Sequence, residues 1–144
     1  MREILEIPGA NKIQWLVETH DSWVASSEIK QIIQPLLNEN CNVGILWDIA
    51  HTLFMGEAPE ITCSELHGII GNTHIKDAIH VGDNRQYVLP GTGELPLAKA
   101  VTVLLSKGYN GYFTFEHEKR WIPELPNPED AFPSFISWLK KVIP

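Results

Sequence analysis

The sequence predicts an α/β fold of four parallel βα units, half of an eight-stranded β/α barrel. Three observations carry this expectation. Strand and helix signals alternate in the order βαβαβαβα, an order that implies parallel strands joined by right-handed crossovers. The strands IQWLVE (13–18), VGILWD (43–48), NTHIKD (72–77) and GYFTFE (111–116) are close to continuous apolar runs, as in sheets covered on their faces. Each run also ends on or near a residue able to hold a divalent cation: Glu18, Asp48, His74 and Glu116.

The elements follow in order. After the first strand and the polar stretch THDSWVASS, the segment EIKQIIQPLLNEN sets Ile29, Ile32, Ile33, Leu36 and Leu37 at helical spacing, with Ser26 or Ser27 as its cap. Pro35 lies inside that pattern and is expected to kink or break the helix. After the second strand, Thr62 and Glu65 have the spacing of a capping box leading into a short helix with Leu66, Ile69 and Ile70, stopped by Gly71. Residues 78–94 read as a long loop containing Pro90, Gly91 and Gly93. Pro96 then opens a helix whose apolar stripe is Leu97, Ala100, Val101, Leu104 and Leu105, ended by Gly108. Asn127 and Pro128 start the last helix, with Phe132, Phe135, Ile136, Leu139 and Ile143 as its buried face. Residues 1–144 are taken as one partial barrel, since a complete one needs about 250 residues. Unpaired strand edges are a liability, so a second copy or the remaining barrel half is the expected partner.

Composition excludes several classes. The net charge of −7 argues against a phosphate-backbone binder, and no apolar run reaches the roughly 20 residues that cross a bilayer. The start, MREILEIPGANK, lacks the basic-then-apolar pattern of a signal peptide. Cys41 and Cys63 form no CxxC pair and read as buried thiols in a reducing compartment, so the cytoplasm is the expected location.

Glu18, Asp48, His74 and Glu116 belong to the carboxyl rim, where parallel β/α folds build their sites. Three carboxylates without a cation repel one another. Oxygen donors with one nitrogen suit Mn²⁺, Mg²⁺ or Co²⁺, with Zn²⁺ an alternative. Such an ion would bind neighbouring sugar oxygens and stabilise an enediolate. Glu18 and Glu116, from well-separated strands, are candidates to move the proton. Lys76 falls two residues past His74 and so on the same strand face. GTGE at 91–94 is either a phosphate-holding loop or a plain turn.

The ordered set ETH (18–20), DIAH (48–51), HIKD (74–77), PGTGELPL (90–97) and GYNGYFTFEHEKRW (108–121) resembles the carboxyl half of the xylose isomerase-like TIM barrels. More narrowly, it resembles the sugar phosphate isomerase/epimerase group, which includes ketose 3-epimerases, hydroxypyruvate isomerases and inosose dehydratases. The resemblance implies that Glu18, Asp48, His74 and Glu116 bind one divalent ion, and that Glu18 and Glu116 also form the acid–base pair. His51 matches a histidine that contacts substrate. The position six residues past the metal histidine, an arginine in ketose 3-epimerases, is His80 here. His51, Lys76 and His80 are therefore the expected substrate contacts. The implied activity is metal-dependent isomerisation or epimerisation of a sugar or sugar phosphate. Dehydration of a cyclic polyol ketone and a non-catalytic half-barrel are the alternatives. An abasic-site endonuclease shares the broad fold, but it would need clustered histidines for several zinc ions and a basic DNA face.

Overall fold

The computed structural model describes residues 2–143. A short helix α1 (Arg2–Leu5) precedes β1 (Trp15–Glu18), α2 (Ser26–Asn38), β2 (Val43–Asp48), α3 (Ile49–Phe54), α4 (Pro59–Glu65) and β3 (Ile70–Ile75). A hairpin, β4 (Asp77–Val81) and β5 (Asn84–Val88), then leads to α5 (Leu97–Ser106), β6 (Tyr112–Phe115) and α6 (Pro128–Val142). The sheet order is β1-β2-β3-β6, and every pairing in it is parallel. This is an α/β fold of the kind that makes half of a TIM barrel. No helix among the described residues is long and apolar enough to cross a membrane.

Strand alternation divides the sheet into two faces. Ile45, Trp47 and Ile75 point to the helices and are fully buried with Ile29, Ile33, Leu66, Leu97 and Leu104. The opposite face carries Glu18, Asp48, His74 and Glu116. Their common side depends on one irregularity. The pairing Ile45↔Ile70 is followed by Leu46↔Asn72, so Gly71 is an extra residue in β3. Without that bulge Thr73 would stand beside Asp48, and His74 would face the helices. With it the pair is Asp48↔His74.

Several sequence expectations need correction. Pro35 does not break α2, which runs through it to Asn38. The proline is on the solvent side, while Ile29, Ile33 and Leu36 are buried. Burying three such side chains at about 1.5–3 kcal/mol each outweighs the roughly 3 kcal/mol cost of an interior proline. Ile32, expected in the buried stripe, is exposed. Neither serine is the cap of α2. Ala25 holds that position, Ser26 is buried inside the first turn, and its N–H donates to Glu57 at 3.4 Å. The Thr62–Glu65 segment ends a helix rather than starting one, because Pro59 takes its first turn. Thr62 donates its hydroxyl to Glu57. Gly68, at φ 79°, turns the chain after α4, and Gly71 lies inside a strand. On α6, Phe132 and Ile136 are exposed, as is Ile143 just past its end, while Ala131 and Phe135 are buried. That helix follows β6, the edge strand, so part of its stripe lacks a neighbour.

The expected loop at 78–94 is largely the β4–β5 hairpin, turned by Gly82 (φ 60°) at the first of two central positions. The GTGE amides do not face an empty phosphate cradle. The buried Asp77 carboxylate accepts from the N–H groups of Gly91 (2.8 Å), Gly93 (3.0 Å), Leu95 (3.3 Å) and Ala78 (2.9 Å). A side chain at Gly93 would lie 2.2 Å from Asp77 Oδ1 and 2.6 Å from the Ala78 carbonyl. Gly93→Ala is therefore expected to destabilise the fold by about 2–4 kcal/mol through overpacking and lost hydrogen bonds, read as a lower urea midpoint. A midpoint equal to wild type would show that Asp77 does not anchor this loop.

Candidate metal centre

Each of the four residues owes its place to a strand. Glu18 ends β1, Asp48 ends β2, and His74 is one residue from the end of β3. Glu116 follows β6 and extends its ladder by donating its N–H to the Ile75 carbonyl at 3.0 Å. One ligand atom from each of the four lies within 4.8 Å of all the others.

The contacts are specific. His74 Nδ1 donates to Glu18 Oε1 at 3.0 Å and lies 3.5 Å from Glu116 Oε2. Lys76, whose side chain is almost wholly buried, donates to Glu116 Oε2 at 2.7 Å and to His51 Nε2 at 3.2 Å. Its ammonium is also 3.0 Å from Asp48 Oδ2 and 3.5 Å from Glu118 Oε1. An ammonium cannot accept, so His51 Nε2 is the acceptor and Nδ1 carries the imidazole proton. Asp48 is fixed from two sides. Thr19 Oγ1 accepts from its N–H at 2.9 Å, and Asp48 Oδ1 accepts from the His51 N–H at 3.0 Å, capping α3.

The protonation states follow from these surroundings. Burial pushes the Asp48 carboxyl up to about 6, opposed by Lys76. The His74 hydrogen bond, helped by Lys76, holds Glu116 well below the usual carboxylate range. Glu116 and Glu18 in turn raise His74 against its burial. Burial alone would lower Lys76, but Asp48 and Glu116 more than offset it, so Lys76 stays an ammonium. Burial first, then the charge of Lys76, lowers His51 to about 4 and keeps it neutral.

The donor set fits a hard divalent cation. Three carboxylates and an imidazole converge on one point. Asp48 Oδ2 is buried with no partner in hydrogen-bond geometry among the described residues, so its approach to Lys76 is a contact of charges only. A buried carboxylate oxygen in that condition is costly, and a cation shared with the other three donors would satisfy it.

Of the expected substrate contacts, His51 and Lys76 adjoin the cluster. His80 lies on β4, exposed, with Nδ1 donating to Glu94 at 2.7 Å. Sequence reading missed Thr19 and Tyr87. The Tyr87 ring lies 5.6 Å from Lys76 Nζ; Thr19 was legible only as the middle of ETH, and Tyr87 sat in the stretch taken for a loop. His20 packs edge-on against His51 at 4.3 Å. Trp23 and Trp121 are both exposed.

Residues 1–142 match the family model of the xylose isomerase-like TIM barrel. Inosose dehydratase from Bacillus thuringiensis (strain Al Hakam) is 25% identical over 118 residues, covering 72% of this chain and 38% of that protein. An inosose dehydratase from Bacillus cereus is 28% identical over 101 residues, covering 60% of this chain and 33% of that protein. The chain thus spans about a third of the length of these curated relatives. Among solved structures, a D-tagatose 3-epimerase-like protein superposes with a TM-score of 0.74 at 22% identity, over 99% of this chain and 51% of that one. The apo form of 3-keto-D-glucoside 4-epimerase from E. coli superposes with a TM-score of 0.68 at 16% identity, over 97% of this chain and 50% of that one. These likenesses bear on the fold. With its fold, its rim of strand-end donors and a family match over nearly its whole length, the chain belongs to the xylose isomerase-like TIM-barrel family.

Proposed function

We propose that this chain carries the metal-binding arc of an isomerase or epimerase acting on a sugar or sugar phosphate by proton transfer through an enediolate. The observation that carries this reading is the convergence of Glu18, Asp48, His74 and Glu116 within 4.8 Å from four separate strands. A divalent ion held there would polarise a substrate carbonyl and stabilise the charge that develops on it.

The residues divide the remaining work. Glu18 and Glu116 stand at opposite ends of the four-strand order, so they can approach the reacting carbon from two sides. One takes a proton from the carbon next to the carbonyl; the other returns a proton to the opposite face of that same carbon in an epimerisation, or the proton is returned to the neighbouring carbon in an isomerisation. Glu116 is held ionised by His74 and Lys76 and so is free of its own proton, and it becomes an effective base once a metal or substrate takes over those two contacts. Lys76 is too firmly protonated to be a base, so it acts as a fixed cation toward a substrate oxygen. His51, neutral with its proton on Nδ1, can donate to a hydroxyl.

A dehydratase of a cyclic polyol ketone is the second reading, favoured by the inosose dehydratases among the sequence relatives. The same proton abstraction would then be followed by loss of hydroxide. In either case β1 and β6 have open edges, and four further βα units, from a preceding half or a second copy, would close the lumen.

Manganese titration followed by electron paramagnetic resonance checks the metal site without requiring the rest of the barrel. One Mn²⁺ per chain is expected, with Asp48→Ala and His74→Ala each weakening binding at least tenfold; an unchanged affinity in both would sink the reading. Where the barrel is complete, a ketose substrate in D₂O should gain deuterium beside its carbonyl. Glu116→Gln should slow that exchange by about 10²–10⁴-fold, the usual contribution of a general base; exchange at the wild-type rate would remove Glu116 from the chemistry. Lys76→Met leaves Asp48 buried without its counter-charge, so metal-free protein should lose about 3–5 kcal/mol in urea unfolding. An unchanged midpoint would show that Asp48 does not rely on Lys76.

A further inference from the structure

The β4–β5 hairpin rises directly after Lys76, yet none of its residues enters the proton transfer. In its register His80 opposes Arg85 and Ala78 opposes Tyr87, so Arg85 and Tyr87, two apart on β5, share one face. That face rests on the rim. Tyr87 lies against Lys76, and the Arg85 guanidinium stacks 4.0 Å above the Phe54 ring while Nη2 donates to the Phe54 carbonyl at 3.3 Å. Phe54 meets His51 edge-on at 6.4 Å. Arg85, His51, Phe54 and Asp21 line a cavity of about 140 Å³. His51 is common to this cavity and to the metal centre.

The chain has 18 acidic residues and a net charge of −7, yet among the described residues no carboxylate lies within 4.0 Å of Arg85. Among the described residues its one hydrogen bond uses one nitrogen, which leaves the other donors of the fork to solvent or a ligand. Asp21, the acidic residue in the same cavity, is engaged by His20 Nδ1 at 3.1 Å. An exposed guanidinium held by an aromatic ring, with no carboxylate partner among the described residues, is suited to a planar, two-point grip on an oxyanion.

The geometry points to Arg85 as a specificity residue that reads an anionic group, phosphate or carboxylate, on the part of the substrate remote from the reacting carbon. The preferred substrates are then anionic sugars rather than neutral ones. The position of the reacting carbon rests on the proposed function; the anion contact does not.

The Nε–H resonances of the three arginines, Arg2, Arg85 and Arg120, are readily separated by ¹⁵N NMR, and Arg85→Gln identifies its own. Titration with inorganic phosphate, acetate and glycerol is the test. Phosphate should move the Arg85 signal and the His51 and Phe54 amides saturably, and glycerol should not. Arg85→Gln should weaken that response at least tenfold, with a dispersed amide spectrum showing that the fold is intact, while Lys140→Gln, a matched charge loss on α6, should behave as wild type. A stronger response to phosphate than to acetate identifies a phosphate ester; an equal or stronger response to acetate identifies a sugar acid. An Arg85 signal unmoved by either anion, or phosphate binding unchanged in Arg85→Gln, overturns the proposal. Mn²⁺ titration of the same sample reads the metal centre separately, so a failure there with anion binding intact would count only against the proposed function.

Discussion

The carboxylate of Asp48 has no exposure to solvent, and a buried charge must be compensated or it will not form. Much of the rim is arranged around that requirement. Thr19, just past the end of β1, accepts the Asp48 N–H, the first turn of α3 donates to Oδ1, and the ammonium of Lys76 lies beside Oδ2. Lys76 is shared with Glu116 and bonded to His51. One buried acid thus couples three strands, one helix and the segment that launches the hairpin. This network also explains the opposite displacements of Asp48 and Glu116. Asp48 has lost its water, whereas Glu116 keeps partial exposure and gains two hydrogen-bond donors.

The backbone feature beneath this chemistry is the register of β3. Side chains alternate across a strand, so a slip of one residue would exchange the side bearing the carboxylates for the helix-facing one. The extra residue at Gly71 makes that exchange locally. Upstream of it Ile70 pairs with Ile45, and downstream His74 pairs with Asp48 while Ile75 enters the core. A bulge at this point serves both faces: it aims an imidazole at three carboxylates and keeps Ile75 among the buried residues under the helices.

The parts legible in the sequence were those dictated by local burial. Continuous apolar runs marked the four sheet strands, and the strand-end positions of Glu18, Asp48, His74 and Glu116 indicated that they share a rim. Lys76 followed from alternation alone. The bulge was not legible, because a glycine near a strand start looks the same as one that stops a helix. The hairpin was missed because Asn84–Val88 is polar and half exposed, with no apolar run to announce it, and because Gly82, Pro90, Gly91 and Gly93 crowd the segment with turn residues. α3 was hidden for a different reason. It is only six residues long and begins directly at Asp48, so the strand's last residue is also the helix cap. The exposure of Phe132 and Ile136 could not be read from periodicity, which reports an apolar stripe without reporting how much of it has a neighbour.

The same topology explains why the chemistry collects on the surface that the helices leave uncovered. The helices bury the face bearing Ile45, Trp47 and Ile75, where a cluster of charges would suffer a full desolvation cost. The other face, the lumen side in a closed barrel, keeps Glu18, His74 and Glu116 only partly buried, so ionised carboxylates survive there beside one that is fully enclosed. Hairpin and rim then differ in the sign of the charge they present. The rim concentrates acid around a cation-sized point, and the hairpin holds an exposed arginine stacked above Phe54 with no carboxylate partner among the described residues. If Arg85 reads an anion as proposed, a substrate meeting both would offer oxygens of modest charge at one end and a full negative charge at the other. A neutral polyol would leave the guanidinium without an anionic partner, and a simple anion would have little to offer the acidic centre.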